Sequence, residues 1–411
     1  MCLGVKSGVS SSSKNHRLLV LKVLAVLFVV ILLLRAAFAV RKARLNAIFK
    51  AEAAAGDDSK ALETGSKLAW YEPADLDLAI ARADLAMKKE DRSGAAQILR
   101  GISGRLGDSI SENIRLGLKF QEVGMLYKAL IHLQFGLERE PRNLDAQRAV
   151  AAILGIERRE TEQERALWSW YRSGESSVEA LRLLAQWEVV IPPGTIPKTS
   201  DEGQILERQL SIEKDSVHAA AALAFFYRNR GEIEKAAGLI DQMLKKEPDD
   251  LSLIAEKLAE LIDSGDGVTA TSLIDVLGVR LEKSPQLLWL RGDYFRSKGE
   301  YKNAIKDYES GLKLGGRNPQ IYFKMSECCR IGGLKSEYEI NLKKYQETRQ
   351  VTYDAAAIDF NNPDIGLMLK VAGACDRLER KAESIAWARE VLRRDQSNSE
   401  ARKIIESKTD K

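Results

Sequence analysis

Residues 217–248 read VHAAAALAFFYRNRGEIEKAAGLIDQMLKKEP, and the reading of this stretch sets the period of most of the chain. Ala220, Leu223, Ala224 and Tyr227 recur at intervals of three and four, which puts them on one face of a helix. Gly231 interrupts that pattern and can take the positive φ of a helix end. Ile233, Ala236, Ile240 and Met243 then make a second apolar face, and Pro248 ends it because proline cannot continue a helix interior. Small side chains at Ala224 and Ala236 let the two helices approach closely. The expected unit is a helix–turn–helix.

Outward from this unit the same grammar repeats every 34 residues. Gly231, Gly265, Gly299 and Gly333 keep that interval, as do Ala236, Ala270 and Ala304, and Pro285 with Pro319. An earlier series, Ala61, Ala95 and Ala129, has the same spacing, and Pro73 and Pro141 are two periods apart. The two series are out of phase. The excess falls in residues 189–200, VVIPPGTIPKTS, which hold three of the nine prolines (Pro192, Pro193, Pro197). This stretch reads as an extended loop inside a fifth unit, between helices near 178–187 and 202–212. A second departure near 349–363 adds about a dozen residues before a last unit built on Met368, Val371, Ala372, Cys375, Ser384, Ala388 and Val391. Residues 399–406 look like a short polar capping helix, which stacked repeats need at their ends.

Residues 113–141 carry Leu116, Gly117, Phe120, Gly124, Leu126, Ala129, Leu133, Gly136 and Pro141. In this order and spacing they resemble the tetratricopeptide repeat, and the resemblance extends over roughly residues 45–400. Leu258 and Tyr338 depart from it at positions where the family usually has small residues. The resemblance implies an all-α, right-handed α-solenoid of about ten helix pairs. It also implies a concave surface, lined by the first helices, that binds peptides. The residue after each large first-helix position should point there: Ile114, Ala221, Ala255, Trp289 and Phe323. Further along the same helices come Phe225 and Arg228, Asp293 and Arg296, and Glu327 and Arg330. The candidate partner-binding groove is therefore Phe225, Arg228, Trp289, Asp293, Arg296, Phe323, Glu327 and Arg330, with the three arginines stacked as a stripe for an acidic segment or carboxylate. The plainer reading is that these arginines pair with neighbouring acids such as Asp293 and Glu327.

The charge is divided unevenly. The chain carries 63 Lys and Arg against 59 Asp and Glu, a net of +4. Residues 1–50 hold nine basic side chains and no acid, so the remaining 361 residues are faintly acidic at −5. That balance, with no basic block in the body, disfavours nucleic-acid binding. Residues 18–40 are apolar apart from Lys22 and Arg35. The uninterrupted run 23–34 has the length of a secretion-signal core, and Ala37-Phe38-Ala39 offers a cleavage site. Yet Arg41, Lys42 and Arg44 would then begin the mature chain, and Lys22 and Arg35 can snorkel so that the whole segment spans a bilayer. A retained single-pass anchor is the favoured reading over a cleaved signal or a buried soluble helix. The flanking charges are nearly balanced and lean only slightly to a cytoplasmic N-terminus with the body outside.

The organisation expected is thus a cationic tail (1–17), a membrane segment (18–40), a first solenoid half (45–188), the proline-rich loop (189–200), a second half (201–398), and a capping helix and tail (399–411). No phosphate loop, GxSxG, HExxH or dinucleotide fingerprint is present. The four cysteines (Cys2, Cys328, Cys329, Cys375) and three histidines (His16, His132, His218) show no zinc spacing. Cys329, Cys375 and His132 fall where packing is expected, as do Trp168, Trp170 and Tyr171, although those three could form an exposed contact patch. No catalytic, cofactor-binding or metal-ligating set is expected, and no small-molecule substrate. The expected function is a membrane-anchored, non-catalytic scaffold or adaptor for a peptide or protein partner, in envelope assembly or secretion. Two other readings stand beside it: a regulatory or assembly subunit of a membrane enzyme complex, and an enzyme with an unrecognised site near the proline-rich loop.

Overall fold

The structure, a computed structural model, describes residues 11–175, 177–186, 201–315 and 318–409. The proline-rich stretch 189–200 and residues 1–10 of the cationic tail lie outside them. Among the described residues the chain is all helical, with no strand. It divides into two compact units, residues 1–107 and 108–411.

The first unit holds α1 (Ser11–Ala54), α2 (Asp58–Tyr71), α3 (Leu76–Lys88) and α4 (Arg92–Ser103). α1 is 44 residues long. Its stretch from Leu21 to Val40 exposes large apolar side chains to the surroundings, while Leu45 and Phe49, further along the same helix, pack on Ala61 and Leu68 of α2. The part from Leu21 is long and apolar enough to cross a bilayer. α3 and α4 form the next hairpin.

The second unit runs α5 (Ile110–Val123), α6 (Leu126–Arg139), α7 (Leu144–Ile156), α8 (Glu160–Ser173), α9 (Ser177–Gln186), α10 (Asp201–Ile212), α11 (Val217–Asn229), α12 (Ile233–Leu244), α13 (Leu251–Asp263), α14 (Gly267–Leu277), α15 (Pro285–Ser297), α16 (Tyr301–Lys313), α17 (Pro319–Ile331), α18 (Lys335–Ala357), α19 (Ile365–Arg377), α20 (Lys381–Arg394) and α21 (Ser399–Thr409). Hairpins form from α5 with α6, α7 with α8, and then pairwise from α11 to α20. Asp75 and Asn143, two periods apart, cap first helices by accepting the backbone N–H of Leu78 and Ala146 at 2.9 and 3.1 Å. Close approach within a hairpin needs a missing side chain: a Cβ on Gly292 would lie 2.6 Å from the Tyr308 ring.

Most hairpin turns repeat one backbone bond. Met125, Glu232, Glu300 and Leu334 donate their N–H to the carbonyls of Phe120, Tyr227, Phe295 and Cys329, at 2.8–2.9 Å. This closes the first helix through a residue in the left-handed region. Gly124, Gly231, Gly299 and Gly333 hold that residue's place, and so do Glu90, Arg158 and Glu379, with φ of 61°, 54° and 62°. A side chain with a Cβ costs about 1–2 kcal/mol there, partly offset by glycine's larger entropy loss of roughly 0.5–1 kcal/mol. Glu90→Gly at this exposed turn is therefore expected to stabilise the first unit by about 0.5–1 kcal/mol. An upward shift of its urea midpoint would show this, and a downward shift would contradict it.

The second unit closes on itself. α9 packs on α8 and also on α18 and α20, some two hundred residues onward. Leu167, Trp170 and Tyr171 of α8, Leu181 and Leu184 of α9, Val351 and Ala355 of α18, Met368 and Val371 of α19, and Trp387 and Val391 of α20 share one buried core. The aromatic cluster Trp168, Trp170 and Tyr171 belongs to this core, and the Tyr171 hydroxyl donates to the Ala386 carbonyl at 3.3 Å. The extra residues near 349–363 explain the closure. They lengthen α18 to 23 residues against 13 in α17, and in the added turns Thr352 donates to the Ala185 carbonyl at 3.1 Å. α10 goes elsewhere. It packs on α11, places Leu206 in a core with Ile156 of α7, and bonds Gln209 to Glu157 at 2.7 Å. The two helices flanking the proline-rich stretch are thus built into different parts of the unit, not into a hairpin of their own. From α10 to α18 the hairpins form an arch whose two ends both rest on α7–α9.

Candidate functional site

The arch brings its first helices toward the turn between α7 and α8. α11, α13 and α15 pack side by side. Facing them is a cavity of ≈ 450 Å³, lined among others by Arg159, Glu160, His218, Ala221, Glu256 and Pro285. The α7–α8 turn thus occupies part of the face on which the resemblance places a bound peptide.

Phe225 and Arg228 are the clearest case. The Arg158 guanidinium stacks on the Phe225 ring at 3.6 Å from its centroid, and that of Arg228 lies 5.7 Å from the same centroid. Arg228 donates to Asp263 at 2.7 Å and to Glu256 at 3.1 Å. Its side chain is only 17% exposed and that of Glu256 only 6%. Burial pushes the Glu256 carboxyl above its usual range, against the opposing pull of Arg228 and then Arg158. Arg228 is an internal strut, and a partner could reach it only by displacing Asp263 and Glu256.

Trp289, expected to point into the groove, is buried instead. It is 7% exposed, packed with Tyr308, Ile321, Met325 and Cys328, and seated over Gly311. Its large indole fills this core. Asp293 lies beside it and accepts from the Tyr308 hydroxyl at 2.7 Å and from Lys324 at 2.6 Å. The Tyr308 hydroxyl is pushed far up, first by burial and then by the Asp293 charge. Arg296 sits 3.7 Å from Asp293 with 46% of its side chain open to water. On α17, Phe323 is 40% exposed and packs against the Tyr345 ring at 5.3 Å between centroids. Arg330 pairs with Glu327 at 2.9 Å, and 55% of the Arg330 side chain remains open.

The eight residues therefore split. Phe225, Arg228, Trp289 and Asp293 are engaged inside the protein, whereas Arg296, Phe323, Glu327 and Arg330 face water on α15 and α17. Sequence reasoning missed Arg158 and Glu256, which meet the first pair. Arg158 stands one period after Gly124, so its place in a turn was readable, although its reach to Phe225 was not. The thiols of Cys328, Cys329 and Cys375 are buried, and burial pushes Cys328 up to about 11. The buried His132 ring bonds Asn113 at 2.7 Å and lies 5.4 Å from the Phe120 ring.

No protein-family model matches the chain. Among solved structures it is similar to a tetratricopeptide repeat protein from Parabacteroides merdae, at 16% identity and TM-score 0.30, covering 70% of this chain and 98% of that one. It is similar to the APC/C hetero-tetramer Cut9–Hcn1, at 13% identity and TM-score 0.39, covering 85% and 66%. It is similar also to the human IFIT1 dimer solved with PPP-AAAA, at 14% identity and TM-score 0.37, covering 88% and 79%. Likenesses this remote concern the fold alone. The hairpins, their 34-residue period and their shared turn bond define that fold in this chain as tetratricopeptide-type.

Proposed function

We propose that this array of tetratricopeptide-type hairpins is a membrane-anchored, non-catalytic scaffold that holds a protein or peptide segment across α15 and α17. The observation that carries the reading is the open set on those helices. Arg296 and Arg330 are one period apart and both about half exposed, and the exposed Phe323 ring stands seven residues before Arg330 on α17. Two guanidinium groups and an exposed aromatic ring suit a segment with an acidic and an apolar residue. The α11 end of the face is filled by Arg158, so the partner contacts the later hairpins only. α1 supplies the anchor, and attachment raises the effective concentration of partners in the same membrane.

The test is crosslinking of the full chain in native membranes, followed by the variant Arg296→Glu with Arg330→Glu. Each lost charge-assisted hydrogen bond is worth about 1.5–3 kcal/mol. The pair should therefore lower capture of the main crosslinked protein by more than tenfold, with helicity and melting unchanged. Unaltered capture overturns the proposal.

A further inference from the structure

The aromatic pair at the end of α2, an exposed Trp70 and a half-buried Tyr71, has no role in the scaffold. Trp70 is 73% exposed, among the most exposed large apolar side chains in the protein. Its ring lies 5.1 Å from that of Tyr71, edge to face. Both touch Phe38 of α1, with centroids 6.1 Å and 4.5 Å apart. We infer that Trp70 and Tyr71 lie in the headgroup layer of the bilayer that α1 crosses, so that the end of the first hairpin is seated on the lipid surface.

The inference rests on α1 spanning the membrane, and its depth follows from helix geometry. A helix rises about 1.5 Å per residue, so about 20 residues cross the roughly 30 Å of hydrocarbon. Counted from Leu18, such a span ends at Phe38. The polar layer beyond is roughly 5–7 Å deep on each side. α2 runs back along α1: Gly65 sits under Phe49, and Tyr71, further on in α2, sits against Phe38, earlier in α1. The end of α2 therefore returns to the level at which α1 leaves the hydrocarbon. A ring 6.1 Å from Phe38 falls within the polar layer.

The chemistry at that level agrees. Trp and Tyr favour the membrane–water boundary because a flat apolar ring carries one polar tip. Arg35, Arg41 and Arg44 stand on the same stretch of α1, where they meet anionic headgroups. Lys42 pairs with Glu72, the residue after Tyr71, and so holds the end of α2 against α1 at this height. In water, an exposed indole resting on one apolar helix leaves its outer face without apolar contact. At a lipid boundary that face is covered.

The full chain in vesicles gives the test. Vesicles are prepared from phospholipids brominated near the headgroup end of the acyl chain, from lipids brominated near the methyl end, and from unbrominated lipids. The chain has six tryptophans, so the Trp70 signal is read as wild type minus Trp70→Phe. With the chain floating with the vesicles, the Trp70 component is expected to lose roughly half or more of its intensity in the shallow-brominated lipid, and clearly less in the deep one, as for an interfacial indole. Equal Trp70 intensity in all three vesicles overturns the inference while leaving the anchor intact. Stronger quenching by the deep bromines overturns it too, because the ring would then lie within the hydrocarbon. A chain that does not float overturns both the anchor and the seating of α2.

Discussion

Arg228→Ala is expected to destabilise the second unit by about 3–5 kcal/mol at pH 8, because it leaves a buried carboxylate without its main counter-charge. The carboxylate is Glu256, whose side chain is 6% exposed. Asp263 also loses its partner, but it is half exposed and water replaces the contact. Arg158 still acts on Glu256 from a distance, which favours the lower part of the range. The pH dependence fixes the cause. Burial already raises the folded-state pKa of Glu256, and loss of Arg228 raises it further. For an acid raised in this way, the folded state is favoured below the unfolded value of about 4.3 and loses that contribution as pH rises through the folded value. The stability gap between wild type and variant should therefore be widest at alkaline pH and narrow on acidification. Urea titrations of both proteins from pH 8 down to pH 5 measure it, and a gap independent of pH would show that packing, not charge, was lost. Joining Arg228→Met to Glu256→Leu should recover most of the loss, since an apolar pair of similar volume leaves nothing uncompensated.

This role also decides how the scaffold reading is tested. Arg228→Glu would set a third carboxylate beside Glu256 and Asp263, and any loss of partner capture would reflect a damaged unit. Arg296 and Arg330 lessen this, because both are about half open and Asp293, the acid beside Arg296, keeps the Tyr308 hydroxyl and Lys324 as partners.

The helix–turn–helix period was legible because two physical demands recur at fixed spacing. The turn needs a residue in the left-handed region, which selects glycine at Gly231, Gly265, Gly299 and Gly333, and the crossing needs small residues such as Ala236, Ala270 and Ala304. Glu90, Arg158 and Glu379 occupy the same turn position without glycine, so the period faded there. The sequence also carries a second periodic signal, in its charges. Arg148 with Glu179, Arg280 with Asp249, and Lys324 with Asp293 are ion pairs 31 residues apart, between successive repeats. The partners of Arg228 lie 28 and 35 residues on, again one repeat away. Opposite charges near that separation mark Arg228 for pairing with the next repeat but not for burial, since Arg148 and Arg280 in the same pattern are about 40% exposed. The closure of α9 on α18 and α20 could not be read in this way. An apolar face such as Leu181 and Leu184 reports that a helix is buried, not what buries it.

That closure underlies the other large expected effect. Trp387→Ala should cost about 3–5 kcal/mol, the range for emptying a buried aromatic site. Trp387 is fully buried in the core shared by α8, α9, α18, α19 and α20. Trp387→Phe should cost far less, on the order of 1 kcal/mol, because the buried indole N–H has no hydrogen-bond partner and its removal offsets lost volume. The distribution of the damage matters more than its size. In an open solenoid each repeat touches only its neighbours, so a defect in α20 would loosen α18, α19 and α21 and stop there. In this unit α20 also touches α9. Native-state hydrogen exchange of Trp387→Ala should therefore show lost protection in α9 (Ser177–Gln186) together with α18–α21, while α12 and α14, at the crown of the arch, keep theirs. Unchanged protection in α9 would mean that the arch stands open in solution. A shared loss would mean that the two ends of the arch form one cooperative element, which keeps the exposed face of α15 and α17 in a fixed shape.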